Sequence, residues 1–223
     1  MSRDIYQIRV DLRDTKPPIW RRLLVPGEIT LGQLHEIIQI AMDWTNSHLH
    51  QFRLKDKALK DLTALGRLAE EERWDELRTA ASGERLFAPR EDPFGDPLDL
   101  DGEDEDAVTL AELHPQGRRK LIYEYDFGDG WEHLIKVEKV LAPDDLKPGV
   151  EPPACLTGRL AAPPEDCGGV WGYYELLDAL DDPDHPEHDD LRGWMGLEEE
   201  EDLDPDTFDL EEINAELARW RAL

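Results

Sequence analysis

The sequence predicts a single α+β domain in which helices pack on one face of a mostly antiparallel or mixed sheet, and three observations carry that expectation. The first is the stretch LIYEYDFGDGWEHLIKVEKV at Leu121–Val140. Leu121, Tyr123, Tyr125 and Phe127 alternate with Glu124 and Asp126, and Trp131, His133, Ile135 and Val137 repeat the pattern on the return, which is the period of a half-buried strand. Gly128-Asp129-Gly130 lies between them and gives the backbone freedom of a tight loop, so a DFGDGW hairpin forms the centre of the fold. The second is the order of elements: two strands, a helix, a strand, the hairpin, then several helices. The third is the spread of tryptophans, at positions 20, 44, 74, 131, 171, 194 and 220, which implies a core assembled from distant segments.

Ile5 to Arg13 reads as the first strand, with Tyr6, Ile8, Val10 and Leu12 on one side and Gln7, Arg9 and Asp11 on the other. Lys16-Pro17-Pro18 interrupts it, because proline donates nothing to a ladder. Ile19 to Val25 forms the second strand, closed by Pro26-Gly27. Thr30 and Gln33 make a capping box for a helix over Leu31 to Asp43, with Leu34, Ile37, Ile38 and Ala41 as its apolar stripe. His48 to Leu54 is the third strand, with His48, His50, Phe52 and Leu54 on one side. An insertion at about 57–107 follows, helical over Leu59 to Ala81 and then an acidic loop without clear period. Thr109 to Leu113 is a helical turn, and the prolines after Leu141 mark an irregular connection. Val170 to Leu180, His188 to Met195 and Asp209 to Arg221 read as helices, the last amphipathic and preceded by an acidic segment at 198–212.

Lys and Arg total 25 against 53 Asp and Glu, a formal net charge of -28 and a pI near 4.4. Direct nucleic-acid binding and attraction to anionic lipid are therefore not expected. The charge is concentrated: Glu91 to Asp106 carries nine acids and no base, and Glu198 to Glu212 carries ten acids and no base. Such runs read first as solvated segments and second as surface for a basic partner. Two cysteines, Cys155 and Cys167, are too few for a disulfide scaffold, and no signal-like or membrane-spanning apolar run occurs, so a cytoplasmic location is expected.

The stretches IYQIRVDLRDTKPPIWRRLLVP, TLGQLHEIIQIAMDW with HLHQF, YEYDFGDGWEH and PACLTGRLAAPPEDCGGVWGY together resemble the plasmid pRiA4b ORF-3-like family. They span most of residues 5–56 and 107–180. Members of that family are often labelled passengers of mobile elements or resolvases, and the resemblance implies a shared fold without a mechanism. The resolvase label has no counterpart here: there is no serine-recombinase pattern and no basic DNA-binding region. Similar proteins commonly carry a further cysteine where this chain has Ala162, so a thiolate site using it would not be rebuilt unchanged.

Candidate chemistry centres on acids and imidazoles. His48 and His50 on one strand face, with His133, Cys155 and Cys167, could be drawn as a zinc site, yet neither C-x-x-C nor H-E-x-x-H spacing occurs. The plainer reading is packed, hydrogen-bonded rings and loop thiols, with no metal ligand, cofactor or catalytic residue assigned. DFGDG lacks the accompanying kinase motifs, and no nucleophile elbow, P-loop or dinucleotide fingerprint is present. Asp126 and Asp129 are expected to accept backbone hydrogen bonds around the turn. The stiff Pro163-Pro164-Glu165-Asp166-Cys167 segment with its following glycines either holds a loop over a pocket or plugs the fold by packing Trp171 on the sheet. A binding groove is expected where this loop meets the hairpin, with Trp131 and Tyr173 as walls and Asp126, Asp129, His133, Glu165 and Asp166 as polar contacts. The leading functional expectation is a non-enzymatic binding or accessory protein with a protein partner. The alternatives are a metal-dependent hydrolase built on His48, His50, His133 and nearby carboxylates, and an acidic DNA mimic or regulator of a nucleic-acid enzyme. The sequence carries no signal for oligomeric state.

Overall fold

The computed structural model describes residues 4–55, 84–92, 95–114, 120–198 and 201–222. The alternating segments form eight strands: β1 (Ile5–Leu12), β2 (Trp20–Pro26), β3 (His50–Lys55), β4 (Glu84–Ala88), β5 (Glu103–Asp104), β6 (Lys120–Tyr125), β7 (Trp131–Leu141) and β8 (Ala154–Arg159). They join one mixed sheet in the order β5-β4-β3-β6-β7-β1-β2-β8. Every neighbouring pair is antiparallel except β4 and β5. The helices are α1 (Leu31–Met42), α2 (Leu110–Leu113), α3 (Gly169–Asp181), α4 (His188–Met195) and α5 (Leu210–Arg221). None among the described residues is long and apolar enough to cross a membrane.

One face of the sheet is dry. Ile8 and Val10 of β1, Leu23 and Val25 of β2, Phe52 and Leu54 of β3, and Tyr123 and Ile135 of the hairpin are fully buried. They form one cluster with Leu34, Ile37, Ile38 and Ala41 of α1 and with Ile213 and Leu217 of α5, the arrangement the period-two and helical patterns predict. Arg21 shares this face. Its Nε donates to the Ala41 carbonyl at the end of α1 and its Nη1 to the carbonyls of Trp20 and Arg159. Burial lowers its pKa to about 10, so the guanidinium stays charged and draws on carbonyls that a helix end leaves without partners.

Among the described residues the opposite face carries ion pairs. Glu138 accepts from Arg22 at 2.7 Å and from Gln7 at 2.6 Å, Asp11 from Arg9 and Lys136 at 2.7 and 3.0 Å, and Glu132 from Arg13 and Arg53. Arg9 and Arg22 lie over the Trp20 ring at 4.2 and 5.1 Å. Solvated pairs of this kind contribute little each.

The Thr30–Gln33 capping box is present, and Thr30 Oγ1 also donates to Asp106 at 3.0 Å. Thr30→Ala is expected to cost about 1 kcal/mol, read as a fall of about 2–4 °C in Tm; an unchanged Tm would show the cap to be idle.

Several elements depart from the sequence reading. β4 and β5 lie in the stretch without clear period, and Phe87 of β4 is fully buried. β8 lies in what reads as an irregular connection, because ACLTGR is a short edge strand with a glycine, too brief to show a period. Phe127 leaves the strand face and is 44% exposed, since β6 ends at Tyr125 and Asp126 turns the chain at φ 56°. The helical expectation for Leu59 to Ala81 lies outside the described residues.

Candidate functional site

The Pro163–Cys167 loop is fastened to the hairpin and to the end of α1. Trp44 Nε1 donates to the Pro163 carbonyl at 2.8 Å, and Glu165 accepts from the Thr45 amide, the Thr45 hydroxyl and the Tyr125 hydroxyl at 2.9, 2.7 and 2.5 Å. Burial, with the Glu165 carboxylate beside it, pushes the Tyr125 phenol up, so it remains a donor. Asp126 Oδ1 accepts from the Gly128 and Asp129 amides, closing the turn as expected. Asp129 instead reaches across the junction, with Oδ2 accepting from the Gly168 amide at 3.1 Å. Gly169, at φ +70°, lies so close that a Cβ would stand 2.3 Å from the Asp129 carbonyl oxygen. Only glycine permits both the conformation and the approach.

Below the junction lies a column of rings. His35 stacks on His50 with centroids 3.5 Å apart and planes within 4°. His35 Nδ1 pairs with the Tyr123 hydroxyl and Nε2 with Asn46 Oδ1, both at 2.7 Å, while Gln39 donates to the same hydroxyl at 2.9 Å. His50 Nε2 pairs with the Glu105 carboxyl at 2.9 Å. Burial lowers both imidazoles, His50 to about 3 and His35 well below its usual value with help from its stacked neighbour. Burial likewise raises Glu105 to about 8, reinforced by Asp106, Asp104 and Glu36. Both shifts favour a neutral pair with the proton on Glu105. This group borders a cavity of about 530 Å³ lined also by Gln33, His48, Arg90 and Asp106.

The residues of the expected groove divide between interior and rim. Trp131 and His133 are fully buried and Tyr173 is 4% exposed, so all three belong to packed core. Burial takes His133 to about 3, and its ring nitrogens face the backbone of Tyr123 and Trp131 without closing a hydrogen bond of ordinary geometry. Asp126 is buried beneath the turn, Glu165 holds the loop in place, and Asp129 and Asp166 stand at the rim. Trp171 is not packed on the sheet: it is 84% exposed. His48 and His50 both line that cavity but do not converge as ligands, because β3 starts at His50 and strand alternation does not extend to His48. Among the described residues the donors that converge are His48, Asp126 and Asp166, without His50, His133 or either cysteine. Cys155 and Cys167 are raised by burial to about 11 and about 12, which keeps both thiols protonated and weakly reactive. His35 and Glu105 escape sequence reasoning: His35 sits on the polar-looking flank of an amphipathic helix, and Glu105 sits inside an acidic run.

Fold and site together define an α+β protein with a neutral histidine–tyrosine–glutamate interior beneath an acid-rimmed, glycine-pinned hairpin. The chain belongs to the family described as Plasmid pRiA4b ORF-3-like protein, whose sequence model matches residues 4–212. It is 34% identical over 197 residues to "Uncharacterized protein y4hQ" of Sinorhizobium fredii (strain NBRC 101917 / NGR234), covering 88% of this chain and 83% of that protein. It is also similar to the crystal structure of the protein of unknown function MM3350 from Methanosarcina mazei Go1. The TM-score is 0.69 at 32% identity, over 94% of this chain and 96% of that one.

Proposed function

We propose that this protein is a non-enzymatic binding or accessory module that engages a protein partner of positive charge through the surface beside the hairpin junction. The observation that carries this reading is Trp171, 84% exposed in a chain that buries Trp131 entirely. Phe127, 44% exposed, sits on the adjoining turn. Both stand on backbone held rigid, Phe127 by the Asp126 turn and Trp171 by the close approach of Gly169 to Asp129. Exposed tryptophan on a fixed scaffold is the kind of residue that dominates binding energy, because little freedom is lost when it is covered. The formal charge of -28 selects a basic partner and makes the association weaken with salt.

The test compares wild type with Trp171→Ala. Trp171→Ala is expected to change folding stability by no more than about 0.5 kcal/mol while weakening an identified partner by about 2 kcal/mol, near 30-fold. Equal affinity in both proteins, or turnover of a substrate that depends on Glu165, would overturn the reading.

A further inference from the structure

We infer that His48, Asp126 and Asp166 form a binding site for a divalent transition-metal ion. This goes beyond the partner-binding reading and stands independently of it. The three side chains come from separate segments: the bend before β3, the hairpin turn and the Pro163–Cys167 loop. Their donor atoms all lie within 4.8 Å of one another. His48 Nε2 is 3.2 Å from Asp166 Oδ1 and 3.7 Å from Asp126 Oδ2. Atoms that share one ion at about 2.0–2.2 Å stand roughly 3.0–3.6 Å apart, so a small inward adjustment seats a cation between them.

Two features distinguish this arrangement from an ordinary ion pair. His48 Nε2 is buried and closes no hydrogen bond to either carboxylate despite the short separation, so the in-plane axis of the ring nitrogen passes beside these oxygens, as it does where nitrogen and oxygen share an ion. The Asp126 side chain is only 10% exposed; its Oδ1 is used by the turn amides, and its Oδ2 lies 3.7 Å from His48 Nε2. The supports are firm. The His48 ring stands edge-on to Tyr125 at 5.8 Å, and Asp166 follows Glu165, which Tyr125 and Thr45 hold.

One imidazole nitrogen with two carboxylate oxygens suits ions of the manganese-to-zinc series better than the all-oxygen preference of calcium or magnesium. Neutral imidazole and two carboxylates also balance a dipositive charge. The Asp166 side chain is 67% exposed, so the remaining coordination positions open to solvent, where water or a small anion would complete the shell.

The experiment is calorimetric titration of the full chain, stripped with chelator and desalted, with Zn²⁺ and separately with Mn²⁺. Wild type, Asp166→Asn and His48→Phe are compared, with Tm recorded for each. Asparagine tolerates the left-handed backbone at Asp166 (φ 61°), and phenylalanine keeps the ring contact with Tyr125 while removing the donor. One saturable equivalent is expected in wild type, with Tm raised by the ion. Asp166→Asn should bind about 10-fold more weakly or worse, and His48→Phe should lack the stoichiometric site. If His48→Phe does not fold, Asp166→Asn alone decides. Absence of saturable uptake by wild type at millimolar ion would overturn the inference. So would variants that titrate like wild type, since uptake would then belong to the acidic surface at large.

Discussion

Gly172→Ala is expected to destabilise the fold by about 3 kcal/mol, seen as a fall of about 6–12 °C in Tm. At an exposed helical position the same change would stabilise by up to about 1 kcal/mol. Packing reverses the sign here. A Cβ on Gly172 would stand 1.9 Å from the Cys167 carbonyl oxygen, and backbone cannot swing aside as a side-chain end could. Gly169→Ala meets the Asp129 carbonyl at 2.3 Å and adds a positive φ of 70°, so it should be comparably costly. Either change pushes the Pro163–Cys167 loop off the hairpin and strains the Tyr125–Glu165 hydrogen bond. Thermal unfolding that shows either variant as stable as wild type would mean that the junction yields without resistance.

Stability is expected to peak near pH 6.5–7 and to fall on both sides within the window from pH 5 to 8. His133 and His50, lowered to about 3, and His35, lowered well below its usual value, remain neutral in the fold. The unfolded chain takes up their protons near 6.5. Their contribution is therefore complete above the unfolded pKa and is lost as pH falls below it. Glu105, raised to about 8, acts in the opposite sense: the fold keeps a proton that the unfolded chain releases near 4.5, so stability is lost as pH rises toward 8. Near pH 5 the histidines outweigh Glu105 by about two protons, or roughly 3 kcal/mol per pH unit as an upper bound. His133→Leu removes one of those protons and so should flatten the acid limb by about 1.4 kcal/mol per pH unit. It should leave stability near pH 7 equal or higher, because two ring nitrogens that close no hydrogen bond of ordinary geometry are replaced by methyls. Denaturant midpoints measured across this window give the answer, and superimposable profiles for wild type and His133→Leu would remove His133 from the account.

Much of the fold was legible because it is encoded locally. The DFGDGW hairpin, the β1 alternation, the α1 capping box and the amphipathic stripe of α5 each depend on contacts within a few residues or one turn of structure. Less of the site was legible. Asp126, His133, Glu165 and Tyr173 look equally suited to a groove by residue type, yet His133 and Tyr173 belong to packed core. Trp131 and Trp171 illustrate the difficulty. Both follow a glycine-containing loop closely, and only the packing of the sheet makes one fully buried and leaves the other at 84% exposure. His48 and His50 look equivalent by alternation, but the strand's start separates them into two environments.

By itself the sequence determined the elements whose periodicity and turn chemistry are self-contained, the strongly acidic surface and the membership of a family. Tertiary structure alone decided that β4, β5 and β8 extend the sheet, since short strands are defined by their neighbours rather than by their own pattern. It also decided that Glu105 leaves an acidic run to become a buried partner of His50. The meeting of His48, Asp126 and Asp166 was its decision too, because three donors from three segments share a point only when hydrogen bonds and burial fix the backbone between them.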